Sequence, residues 1–224
     1  RGMADLLREA GVGARMEAEG FVHDGAVISC DARRLRIDFA RLADAHVLVY
    51  GQTELTRDLY EAREAAGADL RFDCEGATIH GADTDAPFVT YTQGGTEHRV
   101  DCDFIAGCDG FHGVSRETIP VGVRREFEKV YPFGWLGVLS ETPPVHEELI
   151  YASSDRGFAL CSMRNANLSR YYVQAPMTDR VEAWSDQAFW DELRRRLPLV
   201  SAVDAIVALA LAGDLEAIDP GDDA

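Results

Sequence analysis

Hydrophobic residues recur at helical spacing in two long segments of the chain. The first covers residues 52–66, where Leu55 lies on the apolar face of the predicted helix. The second covers residues 185–197, with Ser185 as the predicted N-cap and Trp190 in the buried stripe. Both segments therefore predict amphipathic helices that pack one side against a core.

Strict alternation and β-branched or aromatic residues predict strands in most of the remaining chain. The sequence Gln93-Gly94-Gly95 predicts a hairpin turn between two of these strands. The predicted strands cover residues 26–29, 35–38, 46–50, 69–73, 76–80, 87–92, 97–101, 149–153, 157–164 and 169–175.

The order of these elements predicts a mixed α/β (α+β) fold with a boundary near residues 121–125. Strands and helix alternate up to that point, whereas later segments predict a mostly antiparallel sheet of about four strands that includes the aromatic stretch 129–140. We therefore predict domains at residues 1–125 and 126–198, followed by a tail at 199–224.

A glycine-rich loop follows the apolar triplet at residues 104–106, which we interpret as a buried strand. Gly107, Gly110 and Gly113 let the backbone approach a ligand closely, and a helix start after such a loop favours anions or nucleotides. Asp109 within the loop suits ribose hydroxyls better than bare phosphate. An ordinary strand-to-helix turn is the other interpretation of this spacing.

Two predicted strands of the second half carry polar residues on one face. Alternation puts Ser162 beside Arg164 and Arg170 beside Tyr172, with Tyr151 on a neighbouring strand. Arginines and hydroxyls together form a receptor for a carboxylate. The alternative is a solvent-facing sheet whose arginines pair with the acids of this chain.

The net charge of −17 argues against large polyanionic partners. A surface this acidic repels nucleic acid and anionic membranes. The five cysteines include no C-x-x-C pair, which argues against a disulfide framework or a zinc site and favours a reducing cytosol. No signal peptide is apparent in the sequence. No catalytic triad is apparent either, so an enzyme built on this chain would need a cofactor for the difficult chemistry.

Two histidines have more than one interpretation. His112, beside the glycine-rich loop, is either a contact to a phosphate or nicotinamide cofactor or a loop histidine bonded to backbone. His23 is either a proton relay or a turn residue. Cys108 has only His112 nearby to activate it and is interpreted as a packing residue.

Several long segments of the sequence resemble those of the class A flavoprotein aromatic hydroxylases, and the resemblance runs from about Gly2 to Leu197. The segment Cys108-Asp109-Gly110 resembles the family's second nucleotide motif. Further matching segments are YGQTELTRDL at residues 50–59, YPFGWLG at 131–137, ELIYA at 148–152 and RGFALCSMR at 156–164.

The resemblance implies a role for each candidate residue. Ser162, Arg164 and Tyr172 would hold a substrate carboxylate. Tyr151 would bind and help deprotonate the phenol, with His23 at the outer end of a proton relay. The cofactor residues implied are Gln52, Asp109 and Gly110 for FAD, and His112 and Arg116 for the pyridine nucleotide.

The implied reaction is hydroxylation of 4-hydroxybenzoate ortho to its hydroxyl, giving 3,4-dihydroxybenzoate. FAD, dioxygen and NADPH (or NADH) take part, and the family suggests a cytoplasmic homodimer. The family's N-terminal βαβ unit would precede Arg1, and the resemblance ends near Pro198, so we expect a central fragment with an incomplete Rossmann-like FAD domain. The alternatives are a related hydroxylase of another anionic phenol and an inactive remnant.

Overall fold

The chain forms two compact units in the computed structural model, which describes residues 2–30, 33–197 and 202–212. One unit combines the chain up to Ala62 with the chain from Tyr131 onwards, and the other is Arg63–Val130. The division into domains at 1–125, 126–198 and 199–224 stays a prediction, because the compact units divide the chain at other points.

The first unit contains the longer strands and the helices that cover them. Its N-terminal elements are α1 (Gly2–Glu9), α2 (Ala14–Glu19), β1 (Phe21–His23), β2 (Gly25–Cys30), β3 (Arg33–Asp38), α3 (Phe39–Ala43), β4 (Val47–Val49) and α4 (Gln52–Ala65). Its C-terminal elements are β8 (Phe133–Ser140), β9 (Ile150–Ser154), β10 (Gly157–Asn165), β11 (Leu168–Pro176), a 3-10 turn (Val181–Ala183), α6 (Asp186–Arg196) and α7 (Ala202–Ala212).

A six-stranded sheet organises this unit, in the order β3-β2-β9-β10-β11-β8. Every neighbouring pair is antiparallel except β2 and β9, which run parallel with Ile28 opposite Tyr151. The mixed fold class is confirmed, but the predicted sheet of four strands is too small. Strands β2 and β3 were predicted in the first domain, yet they belong to this sheet. Strand β2 pairs with the edge of β9 that β10 does not use, and β3 pairs with β2.

One face of the sheet packs against α6 and α7. Phe189, Trp190 and Leu193 of α6 are 0–2% exposed, and the ring of Tyr171 on β11 meets the Trp190 ring at 5.2 Å. The prediction for this helix is confirmed, since the Ser185 hydroxyl accepts a hydrogen bond from the Ala188 N–H. The core therefore lies on one side, and the opposite side of the sheet remains open.

The second unit contains a three-stranded antiparallel sheet of β5 (Glu75–His80), β6 (Phe88–Gln93) and β7 (Thr96–Asp101), and the short helix α5 (Val114–Thr118). The predicted hairpin is confirmed: Gly94 and Gly95 both have positive φ, as a tight turn between β6 and β7 requires.

Three local predictions are wrong. Residues 69–73 and 104–106 are irregular rather than strands, and Phe104 is 92% exposed. Neither segment has a ladder partner within the described chain, and without one an apolar run is not a strand. Helix α4 forms as predicted, but none of its residues is buried and Leu59 is 41% exposed.

Candidate functional site

The open face of the six-stranded sheet carries the residues that the sequence placed in a substrate site. Leu160 on β10 lies opposite Tyr151 on β9 and opposite Tyr172 on β11. Ser162 lies opposite Arg170, one pair further along the same strands. The alternation that predicted this shared face is confirmed, because the residues between them, such as Cys161 and Tyr171, are buried on the other side.

Aromatic rings form a cavity of about 320 Å³ on this face. The Phe158 ring lies 5.4 Å from the Trp135 ring and 6.0 Å from the Tyr151 ring. Tyr172 and Leu160 complete the lining. This surface offers apolar contact to a flat aromatic ligand, while the phenol groups of Tyr151 and Tyr172 supply the polar positions.

A second cavity, of about 190 Å³, contains the charged members of the predicted set. Its lining includes Ser162, Arg164, Arg170 and His23. The structure thus separates the predicted substrate residues into an aromatic group and an arginine group. Successive residues on one face of a strand are about 7 Å apart, so Leu160 in the first cavity and Ser162 in the second are neighbours.

Arg164 is half-buried and has no ion pair or hydrogen bond to any described residue. Two other arginines of this chain bond acids: the exposed Arg36 bonds Glu148 through two nitrogens at 2.6 and 2.7 Å, and the buried Arg196 bonds Glu192 at 2.9 Å. The alternative interpretation, in which sheet arginines pair with acids of the chain, does not hold for Arg164. A guanidinium with unused donors is a receptor for an external anion.

His23 lies at the end of β1 rather than in a turn, and it is only 5% exposed. Its Nε2 lies 3.4 Å from the sulfur of Met163. Burial lowers the pKa of the His23 imidazole, opposed by the nearby Glu148 carboxylate and reinforced by His146. A neutral imidazole at neutral pH can accept a proton, which is the property that a proton relay needs.

The glycine-rich loop is folded tightly onto the start of α5. The backbone N–H of Ser115 donates to Asp109 Oδ2 at 2.9 Å, and backbone hydrogen bonds lower the pKa of that carboxyl. Gly110 has φ +68°, and a Cβ on Gly113 would overlap the Asp109 carboxyl group. One Asp109 oxygen therefore serves the loop itself, which the sequence did not predict.

The cofactor residues of the loop line a cavity of about 600 Å³ within the second unit. Asp109, Gly110 and Arg116 belong to this lining, and His112 does not. His112 is exposed, with its ring edge-on to Phe111 at 5.0 Å, and Arg116 stacks over the same Phe111 ring at 4.3 Å. The structure thus brings three of the four residues predicted here together.

Gln52 is the first residue of α4 in the first unit, and its side chain is exposed. The preceding Gly51 leaves room for the Glu54 carboxylate, which a Cβ at residue 51 would overlap. Tyr50 donates to Asp58 Oδ2 at 2.6 Å, while Arg15 pairs with Asp58 Oδ1 at 2.9 Å. These bonds fix the start of the helix that presents Gln52.

The described chain shows no cluster of three or more histidine, cysteine or acidic residues with the arrangement of a metal site. The described cysteines form no disulfide with one another, and burial raises the pKa of the Cys161 thiol above its ordinary value. Of the described helices, none combines the length and the apolar character that crossing a bilayer requires.

Trp135, Phe158 and Leu160 were missed as site residues by sequence reasoning. The signal was present for two of them, because Phe158 and Leu160 alternate with buried residues and share the face of Ser162 and Arg164. Trp135 could not be found without the strand pairing, which places it on the edge strand β8 opposite Gln174 of β11.

Comparison with known proteins identifies the relatives of this chain. The family model described as FAD binding domain matches residues 1–211, which extends beyond the Pro198 limit of the resemblance. The p-hydroxybenzoate hydroxylase of Acinetobacter baylyi (strain ATCC 33305 / BD413 / ADP1) is 51% identical over 194 residues, covering 86% of this chain. The chain spans about half the length of that relative, 48%.

Solved structures share the fold at low sequence identity. A mutant of PqsL from Pseudomonas aeruginosa matches with a TM-score of 0.70 at 19% identity, over 96% of this chain and 60% of that chain. The p-nitrophenol 4-monooxygenase PnpA from Pseudomonas putida DLL-E4 matches with a TM-score of 0.70 at 13% identity, over 88% of this chain and 51% of that one.

Proposed function

Because the chain belongs to the FAD-binding domain family, we propose that it acts as a flavin-dependent aromatic hydroxylase on 4-hydroxybenzoate. The observation that carries the substrate proposal is the half-buried, unpaired Arg164 beside an aromatic cavity, in a chain with a net charge of −17. The 51% identity to a p-hydroxybenzoate hydroxylase supports the same substrate.

Arg164 and Ser162 bind the carboxylate in this proposal. Their cavity also contains Arg170, so the local charge is positive although the chain as a whole is strongly acidic. A carboxylate that enters this cavity accepts charge-assisted hydrogen bonds that are partly shielded from water. Carboxylate recognition selects against phenols that carry no anionic group.

The aromatic cavity receives the ring and the phenol of the substrate. Trp135 and Phe158 contact the ring, and Tyr172 extends the binding surface towards the carboxylate group. Tyr151 takes a hydrogen bond from the substrate phenol and draws off its proton, since loss of that proton makes the ring carbon ortho to it more electron-rich. His23 is the base at the outer end of the relay, and its lowered pKa keeps it ready to accept.

The residues of the second unit fit a nucleotide cofactor. Gly110 requires its glycine for φ +68°, and Gly107 and Gly113 admit no side chain, so the loop presents bare backbone beside a cavity of about 600 Å³. Asp109 and Gly110 would hold FAD in this unit. The separate proposal that Gln52 of the first unit contacts the flavin rests on the family resemblance. Arg116 and His112 would bind the reduced pyridine nucleotide.

FAD, when bound, supplies the transfer of electrons from NADPH (or NADH) to dioxygen. One oxygen atom enters the ring, the other leaves as water, and the nicotinamide is oxidised. The protein's own part is to hold the substrate, to remove the phenol proton and to exclude water around the ring. A cytoplasmic location and a homodimer remain proposals that rest on the family resemblance.

Replacing Arg164 tests this function. We expect Arg164→Ala to weaken binding of 4-hydroxybenzoate by about 2–3 kcal/mol, on the order of a hundredfold in Kd, through loss of a charge-assisted bond. Isothermal titration calorimetry measures the Kd for 4-hydroxybenzoate of the wild type and of the variant. Arg63→Ala is the matched control, because Arg63 is exposed on α4 and has no ion pair to a described residue.

Phenol, which lacks the carboxylate, is the second ligand for this titration. It should bind the wild type and Arg164→Ala equally weakly. Unchanged affinity of Arg164→Ala for 4-hydroxybenzoate would remove the carboxylate from the proposal, and equal wild-type affinity for phenol and 4-hydroxybenzoate would do the same.

A further inference from the structure

A glycine stands directly opposite Tyr172 in the sheet. Gly137 on β8 is the register partner of Tyr172 on β11. The ring of Tyr172 lies over this glycine: a Cβ built on Gly137 would be 2.6 Å from Cε1 and 3.0 Å from Cδ1 of the ring. Real Cβ atoms do not approach ring carbons so closely, so the position of the Tyr172 ring depends on the absence of a side chain at residue 137.

The other neighbours of the Tyr172 ring limit where it can go. Strand β11 lies between β8 on one side and β10 on the other, and Leu160 of β10 is the second register partner of Tyr172. The Arg170 guanidinium lies 5.2 Å from the ring centre. A ring displaced from β8 therefore moves towards β10, where the aromatic cavity lies.

We propose that Gly137 is a positioning residue that sets the width of the aromatic cavity by letting the Tyr172 ring lie directly over residue 137 of β8. The inference rests on the proposed function, because it assumes that this cavity holds the substrate ring. Gly137 itself contacts no ligand and acts through Tyr172. A methyl group at residue 137 narrows the cavity from its β8 side and so selects against a ring that needs the full width.

Gly137→Ala is the variant that tests this role. In the flavin-loaded enzyme we expect its Kd for 4-hydroxybenzoate to rise about tenfold, as crowding of a packed site predicts. Gly134→Ala is the matched control on the same strand, because its new Cβ would meet only the Met177 sulfur at 3.2 Å, and Met177 is 65% exposed and able to move. We expect that control to bind like the wild type.

The same substitution in a Tyr172→Ala background shows whether Gly137 acts through the ring. With the ring removed, the added methyl group has open space, so Gly137→Ala should cause no further loss of affinity. Thermal unfolding of the wild type, the two single variants and the double variant gives a second measurement that needs no ligand. The drop in Tm caused by Gly137→Ala should disappear in the Tyr172→Ala background. A general defect of the strand would lower Tm in both backgrounds.

The outcomes separate this inference from the proposed function. Wild-type enzyme that fails to bind 4-hydroxybenzoate overturns the proposed function. Wild type that binds, together with Gly137→Ala that binds equally well, overturns the positioning role alone. Equal losses from Gly137→Ala with and without the Tyr172 ring also overturn it, whereas a loss that only the intact ring produces supports it.

Discussion

At the residue scale, two arginines of this chain differ in what satisfies their donors. Arg196 is 6% exposed and donates to Glu192 and to the carbonyls of Phe158 and Gln174. Arg164 is less buried and lacks any such partner in the described chain. Arg164 therefore keeps donors that no described side chain or carbonyl uses, and the proposed carboxylate would accept hydrogen bonds from them.

His23 should make the stability of the protein depend on pH. Burial lowers its pKa below the ordinary value of 6.5, so the unfolded chain binds a proton more readily than the folded chain does. The free energy of unfolding therefore holds its full value above pH 6.5 and falls as the pH decreases through that value towards the lowered pKa. Urea unfolding at pH 8, 7, 6 and 5 measures it.

The control for this prediction is His23→Gln, which keeps a polar side chain but removes the titration. We expect a smaller loss of stability between pH 7 and pH 5 in the variant than in the wild type. The facing groups are the Glu148 carboxylate and His146, which remain in both proteins. Identical pH profiles for the two proteins would show that His23 does not titrate differently on folding.

At the element scale, the sequence predicted the strands of the site well because alternation is a local signal. Strands β10 and β11 follow the predicted segments closely, and the face shared by Ser162 and Arg164 follows from period-two alternation. The pairing of β2 with β9 joins segments far apart in the chain, and no local pattern contains it. The roles of Gly137 and Trp135 were hidden for the same reason.

The glycine-rich loop shows the opposite error. Gly107 and Gly113 lie where a Cβ would overlap neighbouring side chains and Gly110 has a positive φ, but the apolar triplet before them was wrongly predicted to be a buried strand. Hydrophobicity predicts a strand only where a neighbouring strand supplies the ladder. The bond from Ser115 to Asp109 depends on the folded path of the loop, which residue types alone do not determine.

Helix α6 is joined to the strands of the site by the buried Arg196, which also pairs with Glu192 of the same helix. Arg196 Nη1 donates to the Phe158 carbonyl at 2.7 Å and to the Gln174 carbonyl at 2.9 Å, so it holds the ends of β10 and β11. We expect Arg196→Met to lower the free energy of unfolding by about 3 kcal/mol, because it leaves the Phe158 and Gln174 carbonyls without their donor and removes one of the charged partners of Glu192. Chemical denaturation measures the change.

Arg195→Met is the matched control for that prediction. Its side chain is 61% exposed and lies 3.7 Å from Glu192, so its removal should cost less than about 1 kcal/mol. Equal destabilisation by the two variants would mean that the buried bonds of Arg196 to the strand carbonyls contribute nothing beyond the charge.

At the scale of the whole molecule, the chain combines an acidic surface with a local cluster of cations. A net charge of −17 disfavours anions in general, whereas in the proposed function Arg164 and Arg170 would stabilise one small carboxylate in the cavity that they share. The aromatic cavity next to it accounts for a ring on the same ligand. An anionic phenol satisfies both parts, and a neutral phenol satisfies one.

Following oxygen into the product tests the proposed hydroxylation. Flavin-loaded enzyme is mixed with NADPH, 4-hydroxybenzoate and ¹⁸O₂, and the products are analysed by mass spectrometry. We expect 3,4-dihydroxybenzoate with one ¹⁸O atom in its new hydroxyl. Oxidation of NADPH with release of hydrogen peroxide and unchanged 4-hydroxybenzoate, from an enzyme that holds FAD, would contradict it.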